Sequence, residues 1–168
     1  HVPQRGDKAE RVAWAAENAR QGFELKFARG DAAREAVERL GELLDMDGSP
    51  ERIECFDISN VQGSDVVASM TCFVNGEPSR RDYRMFNVRG LSGLPDDFAS
   101  MREVVGRRYR RLLEEWRDLP DLVIVDGGPG QLGAAAEALD DLGLSELPLA
   151  SLAKREELLY RRGWPEPL

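Results

Sequence analysis

Leu122-Val123-Ile124-Val125-Asp126-Gly127-Gly128 decides how this chain is read. Four consecutive apolar β-formers predict a short strand covered on both faces. Asp126 then sets a carboxylate at the strand mouth, and two glycines open the turn behind it. Cys55-Phe56-Asp57-Ile58-Ser59-Asn60 repeats the theme. Side chains alternate along a strand, so Ile53, Cys55 and Asp57 share one face, as do Leu122, Ile124 and Asp126. On neighbouring strands the two acids would converge at one edge of a sheet. A carboxylate drawn out of water needs a cation or a hydrogen bond, and two close carboxylates repel unless a cation or proton intervenes. Such a pair makes a cradle for Mg²⁺ or Mn²⁺, which prefer oxygen ligands. Gly127 and Gly128 lack Cβ, so a phosphate or a metal can come close. The helix that follows offers unpaired N–H groups at its start. The chemistry this predicts is metal-dependent phosphodiester hydrolysis. The plainer alternative is a pair of strand-end aspartates that cap turns.

Working outward, residues 52–59, 65–74 and 81–88 read as three antiparallel strands, with Asn75-Gly76 as a tight turn. Asp96 or Asp97 caps a long helix reaching about Trp116. Its buried stripe is Met101, Val104, Val105, Tyr109, Leu112, Leu113 and Trp116. Strand 121–126, a helix over about 131–142 and strand 148–153 follow. Strands joined through helical crossovers add in parallel. The expected fold is α/β: a mixed five-stranded sheet, three antiparallel strands then two parallel, flanked by helices. Upstream, residues 7–28 and 31–45 read as helices, the first opened by Asp7 with Glu10 completing a capping box. Residues 1–50 are therefore expected to form a helical annex or linker, and 51–168 the main domain. Beyond Lys154 the pattern weakens, and no closing helix follows, so the domain is expected to be truncated at its C-terminal end.

Composition narrows the field. The 168 residues are 42% hydrophobic and 32% charged, a globular balance. No apolar run nears the roughly 20 residues of a membrane span, and no signal pattern opens the chain. Cys55 and Cys72 both sit in apolar strand-like contexts, which suits reduced thiols in a cytoplasmic protein. His1 is the sole histidine, so Ser-His-Asp, Cys-His and His-bearing zinc chemistry are excluded. The net charge of −8 is unevenly spread. Residues 79–111 hold nine arginines against four acids, whereas residues 112–150 hold one arginine against nine acids. The basic middle can face phosphates; the alternative is a solvated helix face. No G-x-x-x-x-G-K-[ST] loop is present, which removes a P-loop nucleotide hydrolase. An actin-like ATPase also places an Asp on its first strand, but needs a second comparable domain.

Asp57-Ile58-Ser59-Asn60, Gly63, Val67-Ala68-Ser69, Asp82-Tyr83-Arg84, Asp126-Gly127-Gly128-Pro129-Gly130-Gln131-Leu132 and Leu152-Ala153-Lys154 occur in that order. Together they resemble the C-terminal endonuclease region of the excinuclease family UvrC. The opening Val2-Pro3-Gln4-Arg5-Gly6 is similar to the segment leading into it. The resemblance implies a ribonuclease H-like fold and a DNA repair endonuclease. Such an enzyme makes the incision 5′ to a lesion in bacterial nucleotide excision repair, on damaged double-stranded DNA already loaded with the excinuclease component UvrB. It implies Asp57 and Asp126 as the metal-binding catalytic carboxylates, with Mg²⁺ or Mn²⁺ as cofactor. The family's further Asp and His, and its helix-hairpin-helix motifs, lie downstream of the matched motifs, so weak or no activity is expected of this stretch alone. A non-catalytic docking module with the same fold is the competing expectation.

Secondary residues carry two readings each. Lys154 contacts phosphate or is a solvated lysine after a strand. Gln131 hydrogen-bonds the DNA backbone or caps its helix. Arg84, Arg107, Arg108 and Arg111 are candidate phosphate contacts or members of a solvated face. Asn60 lies close to the metal or makes the turn.

Overall fold

The computed structural model describes residues 30–60, 66–88, 96–154 and 158–168. The helix expected over 7–28 lies outside them. The rest of the N-terminal region contributes α1, helical over 30–43. Then come β1 (Arg52–Asn60), β2 (Val66–Val74), β3 (Glu77–Pro78), a 3₁₀ turn (Arg80–Asp82) and β4 (Arg84–Asn87). After these follow α2 (Asp97–Glu114), β5 (Leu122–Asp126), α3 (Pro129–Asp140), β6 (Leu149–Ala153) and β7 (Leu158–Arg161).

All strands join one sheet in the order β3-β2-β1-β5-β6-β7, with β4 also pairing β2. The pairs β1–β5 and β5–β6 are parallel, and the flanking pairs β1–β2 and β6–β7 antiparallel. This is the mixed sheet that the pattern predicts, with two short strands added. The expected strand 81–88 is interrupted. Ser79 Oγ donates to Asp82 Oδ2 at 2.7 Å and the Asp82 N–H to the Ser79 carbonyl at 2.9 Å, which winds the chain into the 3₁₀ turn. Only β4 then returns to β2. β7 goes beyond the expected strands, because Leu158-Leu159-Tyr160-Arg161 has no alternation: all four are half-buried along a sheet edge. The Asn75-Gly76 turn is as read, with φ of 52° and 78°, the pair of positive values a tight hairpin turn requires.

Alternation divides the core between two faces. Phe56, Met70, Val123 and Val125 pack on Met101, Val105, Tyr109 and Leu112 of α2 and on Ala135 and Leu139 of α3. Ile53, Leu122 and Ala150 pack on Val37 and Leu44 of the α1 segment. The Asp96 carboxylate caps α2, accepting from the N–H groups of Phe98 and Ala99, each at 3.0 Å. The far end departs from expectation. Leu113 is 39% exposed and Trp116 is 96% exposed. The helix closes with the Trp116 N–H on the Leu113 carbonyl and the Arg117 N–H on the Leu112 carbonyl. Trp116 thus takes the left-handed position of the closing turn, φ 52°, and leaves the stripe it would have continued.

Glu54 faces the helices and is fully buried. Arg108 meets it with two bonds, Nη2 to Oε1 at 2.7 Å and Nε to Oε2 at 3.1 Å. Arg52 Nη2 adds 2.9 Å to Oε1, and the Tyr109 hydroxyl donates to Oε2 at 3.2 Å. Burial pushes the Glu54 carboxyl up, but hydrogen bonds and charge from Arg108 and then Arg52 outweigh it and hold the group below its ordinary range. Both cysteines are free thiols, and burial pushes Cys55 up to about 11. Among the described residues, no helix is long and apolar enough to cross a membrane.

Candidate metal and nucleic-acid site

The site follows from register. The parallel β1–β5 pairing runs from Ile53↔Leu122 to Phe56↔Val125, so the next residues on the two strands, Asp57 and Asp126, stand side by side. They lie on the sheet face that α1 covers only farther down, over Ile53 and Leu122. One row crosses the sheet at their level. Met85 pairs Ser69, Ser69 pairs Asp57, Asp126 pairs Leu152 and Leu152 pairs Leu159.

The two carboxyl groups stand close enough to influence each other's ionisation. Ser59 Oγ donates to Asp57 Oδ2 at 2.8 Å, and Lys154 Nζ to Asp126 Oδ2 at 2.5 Å. Partial burial and then the neighbouring Asp57 push Asp126 up, against the pull of Lys154. Asp57 is pulled down, foremost by its neighbour Asp126, then by Ser59 and Lys154 against its own burial. The pair titrates as a unit: the first proton leaves easily, and the second is held back. Lys154 is raised in turn by its bond to Asp126.

Gly127 continues from β5 with φ 140°, and its N–H donates to the Leu152 carbonyl at 3.0 Å. A Cβ on Gly127 would stand 2.6 Å from Cδ of Gln131, whose side chain folds over the turn. Gly128 is different: nothing lies within 4 Å of where its Cβ would be. The open approach expected at the two glycines therefore belongs to Gly128, because Gln131 fills the space at Gly127. Gly127→Ala is expected to cost about 2 kcal/mol through the positive φ and this clash. A urea denaturation midpoint unchanged from the parent would contradict it.

The structure thus brings Asp57, Asp126, Gly127, Gly128, Gln131 and Lys154 to one rim. Asn60 ends β1 three residues beyond Asp57. The arginines are elsewhere. Arg108 is withdrawn as a phosphate contact: at 7% exposure it is committed to Glu54. Arg107 binds Glu103 and the Asn87 carbonyl and lies 5.4 Å over the Phe86 ring, on the helix-covered face. Arg84 donates to the carbonyls of Arg81 and Tyr83. Arg111 pairs with Glu115 at the closing end of α2. One turn before Arg111, at Arg108, the helix is level with Glu54, already below Asp57 on β1. Ser59 joins the site without having been singled out by the motifs, although its position two residues from Asp57 puts it on the same face.

The donors at the rim are oxygen: two carboxylates and a hydroxyl, with an ammonium now neutralising them. This set suits Mg²⁺ or Mn²⁺, which are held by one or two carboxylates and keep several waters. Among the described residues, no group of three or more His, Cys, Asp or Glu converges.

The family model of the UvrC RNAse H endonuclease domain matches residues 41–166. The UvrABC system protein C of Acidobacterium capsulatum is 50% identical over 163 residues, covering 96% of this chain and 25% of that protein. That of Koribacter versatilis is 47% identical over 164 residues, covering 97% and 27%. The chain thus spans about a quarter of the length of these relatives. Among solved structures, human ENDOV aligns with a TM-score of 0.46 at 19% identity, covering 62% of this chain and 46% of that one. Ciona intestinalis endonuclease V, in complex with an inosine-containing DNA, aligns with a TM-score of 0.46 at 17% identity, covering 80% and 58%. With a matched span that includes both rim carboxylates and every strand of the sheet, this chain belongs to the UvrC RNase H endonuclease domain family.

Proposed function

We propose that this chain is the catalytic core of the DNA repair endonuclease that makes the 5′ incision beside a lesion in bacterial nucleotide excision repair. The reaction is metal-dependent phosphodiester hydrolysis on damaged duplex DNA, in the cytoplasm, with the excinuclease component UvrB as partner of the whole protein. The observation that supports it best is the side-by-side placement of Asp57 and Asp126 at an open rim, beside the unobstructed Gly128. Asp57 and Asp126 would hold Mg²⁺ or Mn²⁺, which when bound polarises phosphoryl oxygen and lowers the pKa of a coordinated water. Ser59 orients the Asp57 carboxylate. Lys154, released from Asp126, neutralises phosphate charge, and Gln131 fixes the turn that presents Gly128. The surface arginines Arg84, Arg107 and Arg111 contribute at most peripheral backbone contacts.

Two carboxylates without a third side-chain ligand among the described residues give a weakly held ion. The isolated chain is therefore expected to nick at least tenfold more slowly than its full-length parent. The test is incision of a lesion-bearing duplex by the full-length parent with UvrB, after chelation and after Mn²⁺ is restored. The expected result is loss of the 5′ nick on chelation and its return with the metal. A 5′ nick that persists in chelator leaves the non-catalytic docking module as the better account.

A further inference from the structure

The pole opposite the carboxylates carries a surface that phosphodiester chemistry leaves unused. Trp116, just past the C-terminal end of α2, has 96% of its surface exposed. Three residues on, within about 11 Å by chain reach, Leu119 enters the wall of a groove of about 660 Å³. Pro120, Leu147 and Pro148 continue that apolar wall, and Asp47 and Glu146 stand at its edge. Asp121 accepts the Arg52 N–H at 2.7 Å, and Asp45 lies 3.6 Å from Arg161. Asp47 and Glu146 have no ion-pair partner among the described residues. The groove lies beside the N-terminal ends of β1, β5 and β6, whereas Asp57 and Asp126 lie toward the C-terminal ends of β1 and β5. One β5 length, about 17 Å, separates the two regions.

The chemistry of the groove selects its occupant. Arg161 also lines the groove but is paired with Asp45. The unpaired Asp47 and Glu146 therefore leave its edge repelling a phosphate backbone, and the groove is not an extension of the DNA path. A fully exposed tryptophan three residues before an apolar wall is the residue type that anchors protein interfaces, where one such ring buries about 150–250 Å². We propose that this pole docks a partner protein through a segment carrying Lys or Arg next to an apolar side chain. Trp116 packs on the apolar part, and Asp47 and Glu146 pair the cations. Docking here leaves the carboxylate rim free, so the surface works alongside nucleic-acid binding rather than in competition with it.

The probe is a fluorescein-labelled peptide alternating Lys or Arg with Leu and Pro, with a counterpart in which every cation is Glu. Anisotropy with the 168-residue chain is expected to show at least tenfold tighter binding of the cationic peptide. Both Trp116→Ala and the double change Asp47→Lys with Glu146→Lys are expected to weaken it at least tenfold. All three positions are exposed, so the variants keep the fold, checked by circular dichroism. The indole N–H resonance of Trp116, assigned with Trp116→Phe, is expected to move with the cationic peptide and to stay in place with duplex DNA. The proposal is overturned by equal binding of both peptides, by binding that neither variant weakens, or by a DNA-induced shift as large as the peptide's.

Discussion

Asp126→Asn in the full-length parent is expected to lower 5′ nicking by about 10³-fold or more, and Asp57→Asn similarly. Held metal is worth several kcal/mol of charge stabilisation in the transition state, and each 1.36 kcal/mol is a factor of ten. Stability is expected to move the other way or not at all. Asp126 ionises reluctantly, first because it is partly buried and then because Asp57 stands beside it. Neutralising one removes the repulsion, while Lys154 is left to whichever acid remains. Both groups lie at an open rim, so solvent screens the gain and the melting temperature should equal or slightly exceed the parent's. The pattern to look for is lost incision with an unharmed melting curve, as sites tuned for chemistry commonly give. A variant that melts lower and nicks normally would show these residues to be turn caps.

The second large effect lies beneath the site. Arg108→Leu is expected to destabilise the domain by about 3 kcal/mol, because it strands the charge of Glu54 at zero exposure with only the half-solvated Arg52 to answer it. For a domain of this size that is a drop of about 6–12 °C in melting temperature. Replacing the whole group, Glu54→Leu with Arg108→Leu and Tyr109→Phe, should recover most of the loss, since no buried charge or hydroxyl then lacks a partner. The ion pair also carries a pH signature. Glu54 is held below its unfolded value of about 4.3, so its contribution is present above that value and fades as pH falls through the lower folded one. Acid denaturation monitored between about pH 5 and 3 should therefore show a loss of stability in the parent that the triple variant lacks. If Arg108→Leu unfolds at the parent's temperature, the network is not a keystone of the β1–α2 contact.

The carboxylate rim is legible in the sequence because strand alternation is a strict rule. An Asp continuing the apolar row Ile53, Cys55 must lie on that row's face, and the same holds for Asp126 after Leu122 and Ile124. The class of fold follows from the order of strands and crossovers. The periphery misleads. Arg108 reads as one of a basic run, yet it sits seven residues from Met101 and four before Leu112, on the helix's own buried stripe. Its partner Glu54 likewise occupies a helix-facing position beside Phe56 on β1. Each looks anomalous only when the other, 54 residues away, is set against it. Trp116 falls on the stripe by spacing alone, and spacing cannot show that the helix has already closed one residue earlier. β7 lacks alternation, since its four residues are half-buried alike and neither face of the strand is marked as wet or dry.

The parallel pairing of β1 with β5 has a bearing on timing. No hairpin or local segment contains the site: its two acids are 69 positions apart, and they meet only after α2 has crossed over and the second strand has slotted in beside the first. Such distant closure is among the later events of chain assembly. In a nascent or half-folded copy of this chain the two carboxylates are therefore apart, and the rim they share does not yet exist.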